Sequence, residues 1–188
     1  FSTTRNALFN RAGGTFDVAP STDFALSGTL TGEGGLTKTG TGNLTLSSSA
    51  AYTGTTQVKQ GGLYFTTGID AASGAVTIGG AGFPASLDVG PSAAIAAPVT
   101  IAAYGTLTGT GIVTADLTIS SGGTLSPGDA AIGTLTSAAG KTVSFSGGGA
   151  FSFQVDDVIG APGTNWDYLA GVGILGLSAT AADPFYVR

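Results

Sequence analysis

Residues 34–65 read GGLTKTGTGNLTLSSSAAYTGTTQVKQGGLYF. The stretch holds two lysines and no acid, histidine or cysteine. Thr, Gly and small apolar residues fill the rest. Within it Leu44-Thr45-Leu46 puts two apolar side chains on one face and a hydroxyl on the other, the pattern of a half-buried strand. The same alternation runs outward in both directions, at Phe16-Asp17-Val18, Val76-Thr77-Ile78, Val99-Thr100-Ile101, Leu117-Thr118-Ile119, Val143-Ser144-Phe145 and Phe151-Ser152-Phe153. Helix signals are nearly absent: Glu occurs once, at Glu33, and Met never.

A turn unit recurs between these strands. Six residues separate Ile101 from Leu107, Ile119 from Leu125, Phe145 from Phe151 and Val18 from Phe24, and five separate Val58 from Leu63. The units themselves repeat from Leu44 to Leu63, Leu87, Leu107 and Leu125, at intervals of about twenty residues. Short strands and glycine turns at that period predict a β-solenoid, with two or three strands per coil and successive coils stacked in parallel about 4.8 Å apart. Inward Leu, Ile, Val and Phe then form apolar ladders, and outward Thr and Ser form hydroxyl ladders. Seven or eight coils make a rod roughly 35–40 Å long. The competing fold is an antiparallel sandwich. Its tight hairpins favour Asn-Gly or Asp-Gly, and the chain contains neither dipeptide.

Composition agrees. The 188 residues include 33 glycines; apolar residues make up 42% and charged residues 9%, against roughly 25% charged in ordinary domains. That apolar content and its regular spacing separate the chain from disordered Gly/Ser-rich segments, which combine low hydrophobicity with high net charge. The net charge of −5 and only six Lys and Arg argue against nucleic acid, whose phosphates need clustered cations. Val89–Ala115 is uncharged and long enough to cross a membrane. Its recurrent Gly, Pro and Thr and its period-two alternation argue against a span. No signal peptide is visible, and a start at Phe1 fits a processed product or a fragment.

Gly34–Leu63 resembles the autotransporter-associated β-strand repeat. That repeat carries a Gly-Leu-x-Lys-x-Gly-x-Gly-x-Leu-x-Leu core, matched by Gly35, Leu36, Lys38, Gly40, Gly42, Leu44 and Leu46. Tyr52, Gly54, Thr56 and Val58 match its Tyr-x-Gly-x-Thr-x-Val segment, and Gly62 and Leu63 its end. Gly13–Gly35 resembles the lead-in coil. LTISSGGTLSPGDAAIGTLT (117–136) resembles another recurring passenger element, and residues 163–187 resemble the terminal coils of long repeat proteins that often carry a C-terminal sorting or anchor segment. The resemblance implies a right-handed parallel β-helix, exported and displayed outside a bacterial cell. It implies no particular activity, because passengers of this architecture include adhesins, self-associating proteins, proteases and toxins. The expected organisation is one all-β domain over 1–188: lead-in coils at 1–33, the repeat at 34–65, further coils at 66–145 and terminal coils at 146–188.

Reactive side chains are scarce. Without His no Ser-His-Asp site can form. Lys141 lies near Ser144 and Ser146 in sequence, but a lysine at a strand edge serves chiefly against edge-to-edge aggregation. Asp156-Asp157 is the only adjacent carboxylate pair. On a strand the two would face opposite ways, and in QVDDVIGAPGTNWDYL (154–169) they read as turn residues capping backbone N–H groups. Asp156, Asp157, Asn165 and Asp167 offer some oxygens for calcium, at a spacing that fits no repeat calcium motif. Trp166, Tyr168, Tyr64, Tyr52 and Tyr104 are candidates for stacking on sugars, although Tyr52 belongs to the repeat and is expected to pack at a corner, and Trp166 to cap the last coil.

These readings assign no catalytic, cofactor-binding or metal-binding residue and no cofactor. They predict a non-enzymatic exported rod, a stalk or passenger segment. One alternative is a fibre or surface-layer subunit joined end to end, with residues 1–14, which carry Arg5 and Arg11, as a joining strand. The other is a carbohydrate-binding or carbohydrate-cutting β-helix that contacts surface glycans. Aromatic and acidic residues gathered on one exposed sheet would favour it; the same residues spread around the cross-section would count against it.

Overall fold

The computed structural model describes residues 1–67 and 74–188. Residues 68–73, inside the stretch 66–145 expected as further coils, lie outside the described residues. The described chain is all β and winds as a solenoid of parallel strands. Where the third side is described, the coils visit three sides in the same order. The first side is a nine-stranded sheet running from Ser2–Thr3 to Tyr186–Val187. The second is an eight-stranded sheet running from Gly14–Asp17 to Ile174–Ser178. The third side carries a three-stranded sheet that starts at Ala7–Phe9 and a four-stranded sheet that ends at Tyr168–Ala170. The named strand pairings are parallel throughout, which excludes the sandwich.

The register is the one the leucine spacing predicts. In the nine-stranded sheet Phe24, Leu44, Leu63, Leu87, Leu107, Leu125, Phe151 and Val187 are successive partners. In the eight-stranded sheet the inward row runs Phe16, Lys38, Val58, Ile78, Ile101, Ile119, Phe145, Leu177. The row beside it is hydroxyl-rich: Thr15, Thr37, Gln57, Thr77, Thr100, Thr118, Ser144. Leu44 through Leu125 in the first ladder are fully buried. Each such side chain contributes roughly 1.5–3 kcal/mol by leaving water. No coil can collect that alone, because both its backbone edges and its inward side chains are completed by the coils on either side.

The core changes character along the axis. Of the ten phenylalanines, four lie in residues 1–24 and four in 145–185. At one end Phe1 stacks on Phe24 with ring centroids 5.3 Å apart, and Phe16 sits 5.8 Å from Phe24. At the other Phe145 meets Phe185 at 4.7 Å and Phe151 at 6.3 Å. The middle is mainly aliphatic, with Tyr52 and Phe65 as its buried rings. Bulky rings thus gather in the first two and last two coils of the stack.

Residues 1–14 form the first coil and not a free arm. Ser2–Thr3 pairs with Ala25–Leu26, and Ala7–Phe9 with Leu30–Gly32. Among the described residues no helix is long and apolar enough to cross a membrane.

Candidate functional site

Lys38 occupies an inward position in an otherwise apolar ladder and has no exposed surface. Alternation from Leu36 places it there; its charge makes the position unexpected. The side chain runs to the corner, where the ammonium donates to the carbonyls of Thr39 (2.7 Å), Gly40 (2.8 Å) and Gln60 (3.1 Å). Burial pushes its pKa below the ordinary lysine value, and the Asp17 carboxylate pulls it partly back. Gly61 closes the corner at φ +69°, and a Cβ there would stand 2.5 Å from both the Gly40 and the Gly42 carbonyl oxygens. The repeat's lysine and glycines therefore form one device: a tethered cation binds carbonyl oxygens that a tight corner turns inward.

Tyr52 packs at a corner, as expected, fully buried and edge-on to Phe9 at 5.5 Å. Its hydroxyl hydrogen-bonds to Thr56 Oγ1, and burial pushes the phenol up to about 12.

The 154–169 excursion is held by Asp167, which is buried. Its Oδ1 accepts from the Gly133 N–H at 2.9 Å and its Oδ2 from the Gln154 N–H at 2.8 Å. Asp156 and Asp157 are exposed, and Asp157 Oδ1 accepts from the Ile159 N–H at 2.9 Å, an aspartate turn. Asn165 Oδ1 accepts from the Ala161 N–H. The four oxygen-bearing residues weighed for calcium are thus spread along the loop, three of them engaged with backbone. Among the described residues no group of three or more acidic side chains could hold a metal ion. Lys141 lies just before the strand Thr142–Ser146 that carries Ser144 and Ser146.

Among the described residues at least two surfaces can meet other molecules. The first is an apolar cleft of about 640 Å³ at the C-terminal end, walled by Phe145, Phe153, Trp166, Leu175, Leu177 and Phe185 among others. Leu175 and Leu177 continue the inward rows of Val143 and Phe145 yet are 57% and 56% exposed. Trp166 stands at this end, half-buried.

The second lies on the outer face of the nine-stranded sheet. Tyr64, Asp88 and Thr108 are successive outward partners. Thr108 Oγ1 donates to Asp88 Oδ2 at 3.1 Å. Burial raises the Asp88 pKa, the Thr108 bond lowers it, and Asp129 raises it further. Burial and the carboxylates of Asp129, Asp88 and Asp23 likewise raise the Tyr64 phenol. The Tyr64 ring lies across Gly62, where a Cβ would meet it at 2.7 Å. Gly62 in turn lines a groove of about 280 Å³ whose wall includes Asn43, Ser86, Thr106 and Tyr104. The backbone of Tyr104 that places it in this wall is left-handed, with φ +64°, and no sequence signal marks that conformation.

Stacked parallel coils whose buried polar side chains serve the coil corners and loops define a β-solenoid. Residues 36–64 match the family model of the passenger-associated-transport-repeat. The chain is thus an autotransporter-passenger-like protein carrying one such repeat within the stack. No curated protein matches it.

Proposed function

We propose that the chain is a non-enzymatic structural segment of an exported bacterial surface protein, a stalk that holds other parts of a longer protein at a fixed distance. The repeat match supports export and the cell exterior. The observation that carries the stalk reading is the continuity of the two long sheets from the first coil to the last. Lys38, Tyr52 and Asp167, among the polar side chains buried in the described residues, spend their polar groups on the rod itself.

A stalk keeps its ends apart at a set length. Because the chain has no cysteine, spin labels at Thr15→Cys and Ser144→Cys report that length directly. The two positions lie in one outward row, six coil steps apart, or about 29 Å along the axis. One narrow distance near that value, in the purified chain and on cells displaying it, is expected. A broad distribution would remove the stalk reading.

A second reading, end-to-end joining into fibres, is favoured by the uncovered inward positions Leu175, Leu177 and Val187. Exposed parallel edges are templates for further strands. Charge favours the same contact: the first coil carries Arg5 and Arg11 against Asp17, and the C-terminal region carries Asp156, Asp157 and Asp183 against Arg188. Negative-stain microscopy across a concentration series separates the readings, since joined ends give filaments with an axial repeat and capped ends give single rods.

A further inference from the structure

We infer that the corner and outer face around Tyr104 and Tyr64 form a binding surface for an extended chain of pyranose sugars, a function beyond the stalk reading. The argument begins with backbone cost. Thr106 pairs with Thr124 and Thr124 with Ala150, so Tyr104 occupies the corner position that Gly122 and Gly148 fill in the next two coils. Those glycines have φ +73° and +71°, the left-handed region where a Cβ is penalised. Tyr104 adopts φ +64° in the same place. The fold gains little in return: the ring is 61% exposed, and among the described residues its hydroxyl has no hydrogen-bond partner. Glycine would make the corner at lower cost. Strain retained at an exposed aromatic points to use of the ring.

The surroundings specify the ligand. Phe83, 53% exposed, sits one residue before Pro84, and Pro84 precedes Ala85, the register partner of Gly105. Two exposed aromatics therefore lie at the same corner in consecutive coils, one register position apart. Their axial offset, about 4.8 Å, is close to the length of one sugar unit in an extended β-linked glycan. Beside them the groove offers hydroxyls and an amide, from Ser86, Thr106 and Asn43, which suit sugar hydroxyls as donors and acceptors. Tyr64 lies over Gly62 in the groove floor. Apolar ring faces with a few convergent polar groups are the usual make-up of a small-ligand site. Asp23, Asp88 and Asp129 face Tyr64 against one exposed lysine at this corner, Lys59, so the surface disfavours uronic-acid polymers and accepts neutral or amino-bearing ones.

Nuclear magnetic resonance titrations with cellohexaose, glucosamine hexamer and hexagalacturonate test the inference. Saturable binding of at least one of the first two, mapping to residues 83–86 and 104–106, is expected. Stronger binding of the glucosamine hexamer would show that the carboxylates take part, and stronger binding of cellohexaose that stacking and hydroxyl contacts suffice. Tyr104→Gly is the deciding variant. It should weaken binding about three- to ten-fold, the loss of one aromatic contact, while melting at the same or a higher temperature because the corner strain is relieved. No binding of either expected sugar, equal binding of hexagalacturonate, or undiminished affinity in Tyr104→Gly would each overturn the inference. The spin-label distance does not depend on any of these results, so the stalk and the sugar surface fail separately.

Discussion

Leu107 and Leu177 hold equivalent inward positions in the two long sheets, yet Leu107 is fully buried and Leu177 is 56% exposed. Residue type and strand pattern are the same. The difference is whether a coil lies beyond. Burial in this molecule is therefore supplied by neighbouring coils and not by the local sequence, as expected when stability is a sum of coil and interface terms. The middle coils are covered on both sides. The last coil is covered on one side, where its Phe185 packs on Phe145 of the coil before it, and Phe145 in turn meets Phe151.

The sharpest way to break this comparison is to place the same charge at both positions. Leu107→Asp buries an unpaired carboxylate and removes a ladder residue; it should cost more than about 4 kcal/mol and leave no cooperative melting transition. An unchanged melting curve would overturn the inward assignment. Lys38→Met keeps the length of the side chain but deprives three carbonyls of a donor. A loss of about 1–3 kcal/mol in denaturant unfolding is expected. Equal or greater stability would mean that the desolvation of the ammonium outweighs its hydrogen bonds. Leu177→Asp should cost less than about 1 kcal/mol, because water already reaches that side chain. A loss as large as that of Leu107→Asp would show that something covers the end in solution, and would support joining. Smallest of all, the double change Asp156→Asn and Asp157→Asn should move stability by no more than about 0.5 kcal/mol with or without calcium. A calcium-dependent loss would place a metal on the excursion.

The fold was largely legible because the ladder from Leu44 to Leu125 has a regular spacing and a strict inward-outward alternation. Lys38 was legible as part of a motif but not as an interior residue. Its inward position follows from Leu36, whereas the reason it is tolerated lies in three corner carbonyls, one of them that of Gln60, one coil further on. The structural role of Asp167, weighed in the sequence only as one of several oxygens, was hidden for the same reason, since its partners Gly133 and Gln154 are 34 and 13 residues away. Tyr104 could be named as an exposed aromatic. Its left-handed backbone could not, because sequence marks such positions by glycine and here the glycine is missing. The grouping of Tyr64 with Asp23, Asp88 and Asp129 depends on coil register and on a loop that returns Asp129 to the sheet face.

The single tryptophan, Trp166, lies beside the uncovered end. Its emission is therefore a local reporter on a molecule whose circular dichroism averages over every coil. In a stack with only nearest-neighbour coupling, the end coil is free to open before the rest. The two signals should then melt at different temperatures, the fluorescence first, so coincident probes cannot be assumed and one midpoint does not describe the rod. An element added beyond the last coil would bring the fluorescence transition up to meet the dichroism, which makes Trp166 a built-in gauge of whether that end is occupied.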